Sequence, residues 1–337
     1  MIIAKHIEIL NGRHFYTMNK SFEKVILNRT KSRELYQIEE IQELWGGYGK
    51  ILRYGLKGSD LNRVVVKSVC LPKNPKQSRG GNISYQRKLK SYKVEMAFYE
   101  NWSGKCGNDC RVPRWYAFEW QNDEFLMVLE DLDEAGFRGR RRSVAWNDIK
   151  VCLKWLAHFH AAFMGEKPEN IWTQGTYWHL DTRPDELKAL NDVSLKNAAK
   201  AIDRKLNNCR FKTFVHGDAK LQNFCFSKDG ESVAAVDFQY VGGGCGMKDI
   251  AYFVDSCLYE DECESWENDI LDFYFKELKN ALEAEQKDIN FDELEKEWRG
   301  LYHVAWTDFY RFLKGWAPGH YETRYSEKIA RKVISSL

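Results

Sequence analysis

The 337-residue chain has no apolar run approaching the eighteen or more residues of a membrane-spanning helix, which excludes a helical membrane protein. It has no excess of charge of one sign. Its 51 Lys and Arg face 49 Asp and Glu, and a net +2 gives no electrostatic case for nucleic acid or an anionic membrane as the main partner. Met1-Ile2-Ile3-Ala4-Lys5-His6 soon turns polar, so no secretory signal is expected. A zinc pattern is missing as well. The nine cysteines, at 70, 106, 110, 152, 209, 225, 245, 257 and 263, are odd in number and irregular in spacing. Cys106 and Cys110 bracket a Gly-Asn-Asp turn, but no second Cys/His pair completes four ligands. Free thiols in a reducing compartment, the cytoplasm, are the expectation.

What is present describes a globular protein with room for two lobes: 44% hydrophobic, 30% charged and 14% aromatic, with 12 Trp suited to a large core and an aromatic-lined cleft. Residues 1 to about 40 read as a mostly helical, charged lead-in. Strands are expected at Ile41–Trp45, Lys50–Leu56, Arg63–Val69, Arg111–Phe118 and Phe125–Glu130, with turns at Lys57–Asp60 and Gln121–Asp123. A helix around Tyr92–Tyr99 interrupts them, placing Tyr92, Glu95 and Tyr99 on one face. Pro72–Lys90 reads as a solvated loop, or alternatively as a lid. From Glu130 onward the chain turns helical, with helices at Ala145–Met164, Met247–Cys257, Glu264–Glu285, Phe291–Leu313 and Glu322–Ser335. The fold class expected is α+β with two lobes: an antiparallel-sheet lobe over 1–130 with one main helix, then a mostly helical lobe over 131–337.

His216-Gly217-Asp218-Ala219-Lys220-Leu221-Gln222-Asn223, followed fourteen residues later by Asp237-Phe238-Gln239, is the most informative stretch. Asp218 and Asn223 have the five-residue spacing that the catalytic Asp and metal-binding Asn have in protein kinases, and Asp237-Phe238 fills the later metal-binding slot. Phosphoryl transfer needs positioning and charge neutralisation more than covalent help, and these residue types supply both. Asp and Asn in a loop also form Asx-turns with their own backbone. That accounts for either residue alone, but not for strand-like Phe211–Val215 leading into the loop or Val233–Val236 leading into Asp237. With the turn Ser227-Lys228-Asp229-Gly230 between them, these strands are expected to form a hairpin-like unit presenting both carboxylates at one end.

Lys67, emerging from an apolar strand, is costly to bury unless it meets an anion. In a kinase-type site that anion is nucleotide phosphate, with a helix glutamate as partner, here Glu95 or failing that Glu100. The cluster Gly46-Gly47-Tyr48-Gly49 reads either as a phosphate cradle, through Gly47 and Gly49, or as a plain turn. Backbone groups of Met127 to Leu129 are candidates for pairing with a nucleotide base. Gly242–Gly246 reads as a flexible loop, and Asp249 either as a helix-start acid or as a brace on the catalytic loop. His158 and His160 point to different faces and cannot chelate together. Trp306, Asp308, Tyr310, Arg311 and Trp316 read as helix-packing residues or as an acceptor pocket.

Together these residues resemble the aminoglycoside phosphotransferase/choline kinase-like group of small-molecule kinases, and within it the ecdysteroid kinase-like branch. The likeness spans about residues 40 to 315. It rests on His216-Gly217-Asp218 with Asn223, Val236-Asp237-Phe238-Gln239, Leu129-Glu130-Asp131-Leu132 with Gly136-Phe137, Leu156-Ala157-His158-Phe159-His160, and Arg87–Tyr92 leading to Glu95. The resemblance implies ATP, magnesium and a small hydroxylated acceptor. It casts Asp218 as base, Asn223 and Asp237 as metal ligands, and Lys67 with Glu95 as the phosphate-anchoring pair. Lys220 sits where Ser/Thr protein kinases carry a charge-stabilising lysine. The rivals are a non-catalytic pseudokinase and, with no Ala-Pro-Glu signature and His-Gly-Asp for His-Arg-Asp, a protein kinase. Acceptor identity, ATP against GTP, and oligomeric state stay open.

Overall fold

The computed structural model describes residues 9–10, 13–14, 18–44, 47–71, 81–319 and 324–337. Trp45 and Gly46 of the glycine cluster, and residues 72–80 of the expected loop or lid, lie outside them. By packing the chain divides into two compact units, Met1–Gln86 with Pro113–Ala135, and Arg87–Val112 with Gly136–Leu337.

In the first unit, β1 (Ile9–Leu10) and β2 (Arg13–His14) form a short ladder, followed by α1 (Lys20–Thr30). Asn19 caps α1 by accepting from Ser21 N at 3.0 Å, and Lys31, in the left-handed region at φ 53°, ends it. β3 (Glu34–Glu43), β4 (Gly49–Lys57), β5 (Arg63–Cys70), β6 (Trp115–Gln121) and β7 (Glu124–Glu130) make the expected five-stranded antiparallel sheet, in the order β3-β4-β5-β7-β6. Alternating Leu52, Tyr54, Leu56, Val64 and Val66 on one sheet face pack with Phe22 and Ile26 of α1, as period-2 and period-3.6 patterns require. The lead-in is therefore not uniformly helical, and β3 starts at Glu34, well before the expected Ile41. Its glutamates hide it from propensity, but it is an edge strand, where charge on the open side discourages further pairing. Pro113, which lacks an N–H, keeps residues 111–114 out of β6.

The second unit opens on α2 (Gly81–Asn101), whose residues from Arg87 on belong to it. The helix begins well before Tyr92, so residues 81–91 are helix and not loop. Helices α3 (Trp146–Ala162), α4 (Pro184–Ala189), α5 (Val193–Asn207), α6 (Met247–Cys257), α7 (Glu260–Ala284), α8 (Phe291–Trp316) and α9 (Arg324–Ser335) make up most of the unit. Between α5 and α6 run four short strands: β8 (Thr213–Val215), β9 (Phe224–Phe226), β10 (Val233–Ala235) and β11 (Gly242–Gly244).

These strands correct the expected hairpin. The Ser227–Gly230 turn joins β9 to β10, while β8 pairs with β11, the glycine run expected as a flexible loop. The glycines are there for close approach: a Cβ on Gly242 would lie 2.2 Å from the Trp172 carbonyl oxygen. No helix among the described residues is long and apolar enough to cross a membrane.

Candidate active site

The loop after β8 is held by one face of α6. Asp249 Oδ2 accepts from His216 N at 2.6 Å, and its Oδ1 from Gly217 N at 2.9 Å. One turn on, Tyr252 OH donates to Asp218 Oδ1 at 3.1 Å; a further turn on, Ser256 Oγ accepts from Leu221 N at 3.0 Å. Residues 249, 252 and 256 follow i, i+3, i+7 spacing, so a single helical stripe grips four points of the loop. Of the two readings of Asp249, the brace is the one observed. His160 on α3 supports it: Nε2 lies 3.1 Å from Asp249 Oδ2, and Nδ1 lies 2.7 Å from Tyr274 OH. A buried carboxylate is tolerable only with such a set of donors.

Gly217 takes φ +78°, and a Cβ there would meet the Tyr240 carbonyl oxygen at 2.1 Å, so only glycine fits. The His216 ring ties this loop to the one after β10. Its Nδ1 accepts from Asp218 N at 3.2 Å, which places the ring proton on Nε2, 3.0 Å from the Val236 carbonyl oxygen. Burial holds the His216 pKa below the ordinary range, consistent with this neutral ring.

The Asp218 carboxylate, 6% exposed, receives three side chains: Tyr252 on Oδ1, and Lys220 Nζ (2.9 Å) and Asn223 Nδ2 (3.0 Å) on Oδ2. Burial raises its pKa; Lys220 opposes the rise, and the Asp237 charge adds to it. Burial works against the ammonium of Lys220, but the Asp218 and Asp237 carboxylates outweigh it and raise its pKa. Asn223 Nδ2 also donates to the Asp218 carbonyl oxygen at 2.7 Å. Because the amide nitrogen serves Asp218, Asn223 Oδ1 faces elsewhere and meets no donor among the described residues.

Asp237 adopts φ +69°, a left-handed conformation uncommon for a side-chain-bearing residue and the kind of local strain found at functional sites. Phe238 beside it is fully buried, stacked on Phe98 at 4.1 Å between ring centroids and edge-on to Tyr99. Gln239 Nε2 donates to Asp237 Oδ1 at 2.8 Å.

Asp218, Lys220 and Asn223 are thus in direct contact, and Asp237 is near enough for its charge to act on Asp218 and Lys220. Lys67 lies in β5 of the first unit, 4% exposed and in register with Met127. Leu129 faces Val65 on one side and Trp115 on the other, where a bulge makes the β6–β7 ladder irregular. Gly47, at φ +72°, turns the β3–β4 connection, and Gly49 approaches the backbone of Ser68 and Val69 too closely for a Cβ. In the second unit Glu95 is buried on the same face of α2 as Tyr92 and Tyr99, whereas Glu100 is exposed.

Asp308 and Arg311 form a buried ion pair at 2.9 Å, with Trp178 Nε1 donating to Asp308 Oδ2 at 3.0 Å. Trp306 bonds Ser326 and Tyr310 bonds Glu327. Of the two readings of this group, the helix-packing one describes these four residues. Tyr252, Ser256 and the roles of His160 and Gln239 escaped the sequence reading. The available signal was the i, i+3, i+7 stripe of 249, 252 and 256, in a helix that otherwise carries only Lys248 and Asp255 as charged residues.

No donor cluster of three or more His, Cys, Asp or Glu exists among the described residues. A kinase-type magnesium does not need one, since phosphate oxygens and water complete its octahedron beside one or two protein ligands. The Asn223 amide oxygen and the Asp237 carboxylate fit that donor set.

In structure the chain is similar to a microcompartment-associated aminopropanol kinase, at 12% identity over 94% of each chain with a TM-score of 0.49. It is similar to Plasmodium vivax ethanolamine kinase at 13% identity, over 94% of this chain and 86% of that one, TM-score 0.49. It is also similar to an aminoglycoside-3'-phosphotransferase of type VIII, at 15% identity over 86% and 98%, TM-score 0.44. No curated protein matches it in sequence. The sequence matches the family model over residues 53–209 and 172–286, spans that include Lys67, Glu95, Asp218, Asn223 and Asp237, and the chain belongs to the ecdysteroid kinase-like family.

Proposed function

We propose that this protein transfers the γ-phosphoryl group of ATP to a hydroxyl of a small molecule. The observation that carries the reading is the Asp218 carboxylate. It is buried, it is fixed by Tyr252, Lys220 and Asn223, and it stands next to the charge of Asp237. Asp218 Oδ1 has one protein donor, which leaves it a lone pair for an acceptor hydroxyl. As the acceptor oxygen bonds to the γ-phosphorus and the bond to the ADP oxygen breaks, the hydroxyl proton passes to Asp218. Lys220, held charged by its two carboxylate neighbours, offsets negative charge on the transferring oxygens. Asn223 and Asp237 are the residues that would hold magnesium, which when bound supplies charge neutralisation to the triphosphate. Lys67 and Glu95 are assigned to the nucleotide phosphates, Gly47 and Gly49 to their approach, and the end of β7 at Met127 and Leu129 to the base.

The test is magnesium-dependent phosphorylation from labelled ATP across a panel of hydroxyl compounds. Asp218→Asn, which preserves shape and removes the base, is expected to lower turnover about 10²–10⁴-fold with nucleotide binding retained. Full activity in that variant rules out the mechanism. A wild-type chain whose melting temperature ATP with magnesium leaves unmoved rules out the nucleotide assignment.

A further inference from the structure

Gln239 takes the third place of the Asp-Phe-Gly sequence, where protein kinases have no side chain at all. It is 4% exposed and every polar group of its carboxamide is engaged. Nε2 donates to Asp237 Oδ1 at 2.8 Å; Oε1 accepts from Ser91 Oγ at 3.1 Å and from Lys88 Nζ at 3.3 Å. The backbone oxygen accepts from Trp172 Nε1 at 2.8 Å. The amide cannot be turned round, because a carboxylate only accepts and an ammonium only donates. Lys88 and Ser91 stand one turn apart on α2, so Gln239 spans from that helix face to a carboxylate almost 150 positions along the chain. The Ser91 proton has a second acceptor in the Lys88 carbonyl oxygen at 2.8 Å, which leaves the Lys88 ammonium as the steadier partner.

We infer that Gln239 is a positioning residue for the metal ligand Asp237, and that through it the seat of α2 sets the affinity for the divalent cation. The inference rests on the reading of Asp237 as a metal ligand. The Phe238 plug fixes where the backbone of this loop lies but not the plane of the neighbouring carboxylate. The Gln239 amide gives Asp237 Oδ1 a directional donor that constrains that plane, and this donor is itself fixed from α2. Groups that orient a metal ligand typically govern affinity by one to two orders of magnitude. A glycine at 239 would remove this donor from the carboxylate.

The full-length chain is titrated with Mn²⁺ in the presence of saturating ATP, with free Mn²⁺ read by electron paramagnetic resonance and the melting midpoint read in parallel. Gln239→Ala is expected to weaken Mn²⁺ binding about 10–100-fold. Gln239→Glu, the same shape without a donor, is expected to weaken it at least as much and to lower the melting midpoint, because a second carboxylate then faces Asp237. Ser91→Ala combined with Lys88→Met is expected to give a smaller loss, and none beyond that of Gln239→Ala when all three are combined, because the links act in series. Gln239→Glu binding within about twofold of wild type overturns the inference, as does full additivity between the α2 changes and Gln239→Ala. A wild-type chain that binds no Mn²⁺ sinks the metal reading and this inference with it, whereas wild-type binding with an unaffected Gln239→Glu sinks only the latter.

Discussion

The two loops that present Asp218 and Asp237 sit side by side yet are secured by opposite means. The first is held by polar contacts, with α6 reaching it through Asp249, Tyr252 and Ser256 and almost every bond ending on a backbone N–H or the base itself. The second is held by shape. Phe238 is sunk among Phe98, Tyr99, Trp155, Phe159 and His216, and the Gln239 amide bonds the neighbouring carboxylate. In the proposed function Asp218, as base, has to keep one lone pair aimed at a hydroxyl, which needs directional bonds. Asp237, as the proposed metal ligand, has to stay in place while ions enter and leave, and dense aromatic packing suits that need.

Four substitutions would break or sharpen this contrast, and the first should have the largest effect. Phe238→Ala is expected to cost about 3–5 kcal/mol, because an aromatic side chain leaves a cavity its stacked neighbours only partly fill; denaturant unfolding measures it. If the plug matters as argued, the variant should also lose metal-dependent nucleotide binding. Asp249→Ala strands three donors around a buried site, so a loss of about 3 kcal/mol is expected, with turnover falling and the first loop becoming open to amide hydrogen exchange. Exchange that spreads equally into residues 237–240 would erase the distinction drawn between the loops.

Tyr252→Phe removes a hydroxyl bonded to the Asp218 carboxylate and to Tyr177 while keeping the ring. About 1.5 kcal/mol is expected, near tenfold in turnover, with an unchanged Michaelis constant for ATP. The smallest effect concerns His216, whose ring bonds the first loop to the second. Its folded pKa lies below the ordinary range, so beneath about pH 6.5 the unfolded chain takes up a proton that the native ring refuses. Stability therefore declines as pH falls below that range, and His216→Asn is expected to flatten the decline in melts from pH 7.5 to 5. An unaltered slope would remove His216 from the account.

How much of this was legible depends on how far apart the partners lie. Asp218, Asn223 and Asp237 could be recognised because spacing along a short, locally folded stretch survives as spacing in the sequence. β4, β5 and β7 announced themselves through branched and aromatic residues, whereas β3 was masked by its glutamates and β11 by glycines chosen for contact with Trp172. The expected β8–β10 hairpin failed because two adjacent ladders with similar short strands cannot be told apart by turn signals alone. The α6 grip and the Gln239 link were unreadable for a different reason: side-chain bonds across more than thirty, or nearly 150, positions leave no period.

The left-handed backbone at Asp237, together with the charge it sets against Asp218, has one last consequence. Asparagine is the same size, is at ease with that backbone, could still accept from Gln239, and would end the repulsion between two neighbouring anions. Selection for heat tolerance alone would therefore let position 237 drift to the neutral amide. The acid at 237 marks a place where the chain keeps two anions in tension, which the proposed magnesium would ease.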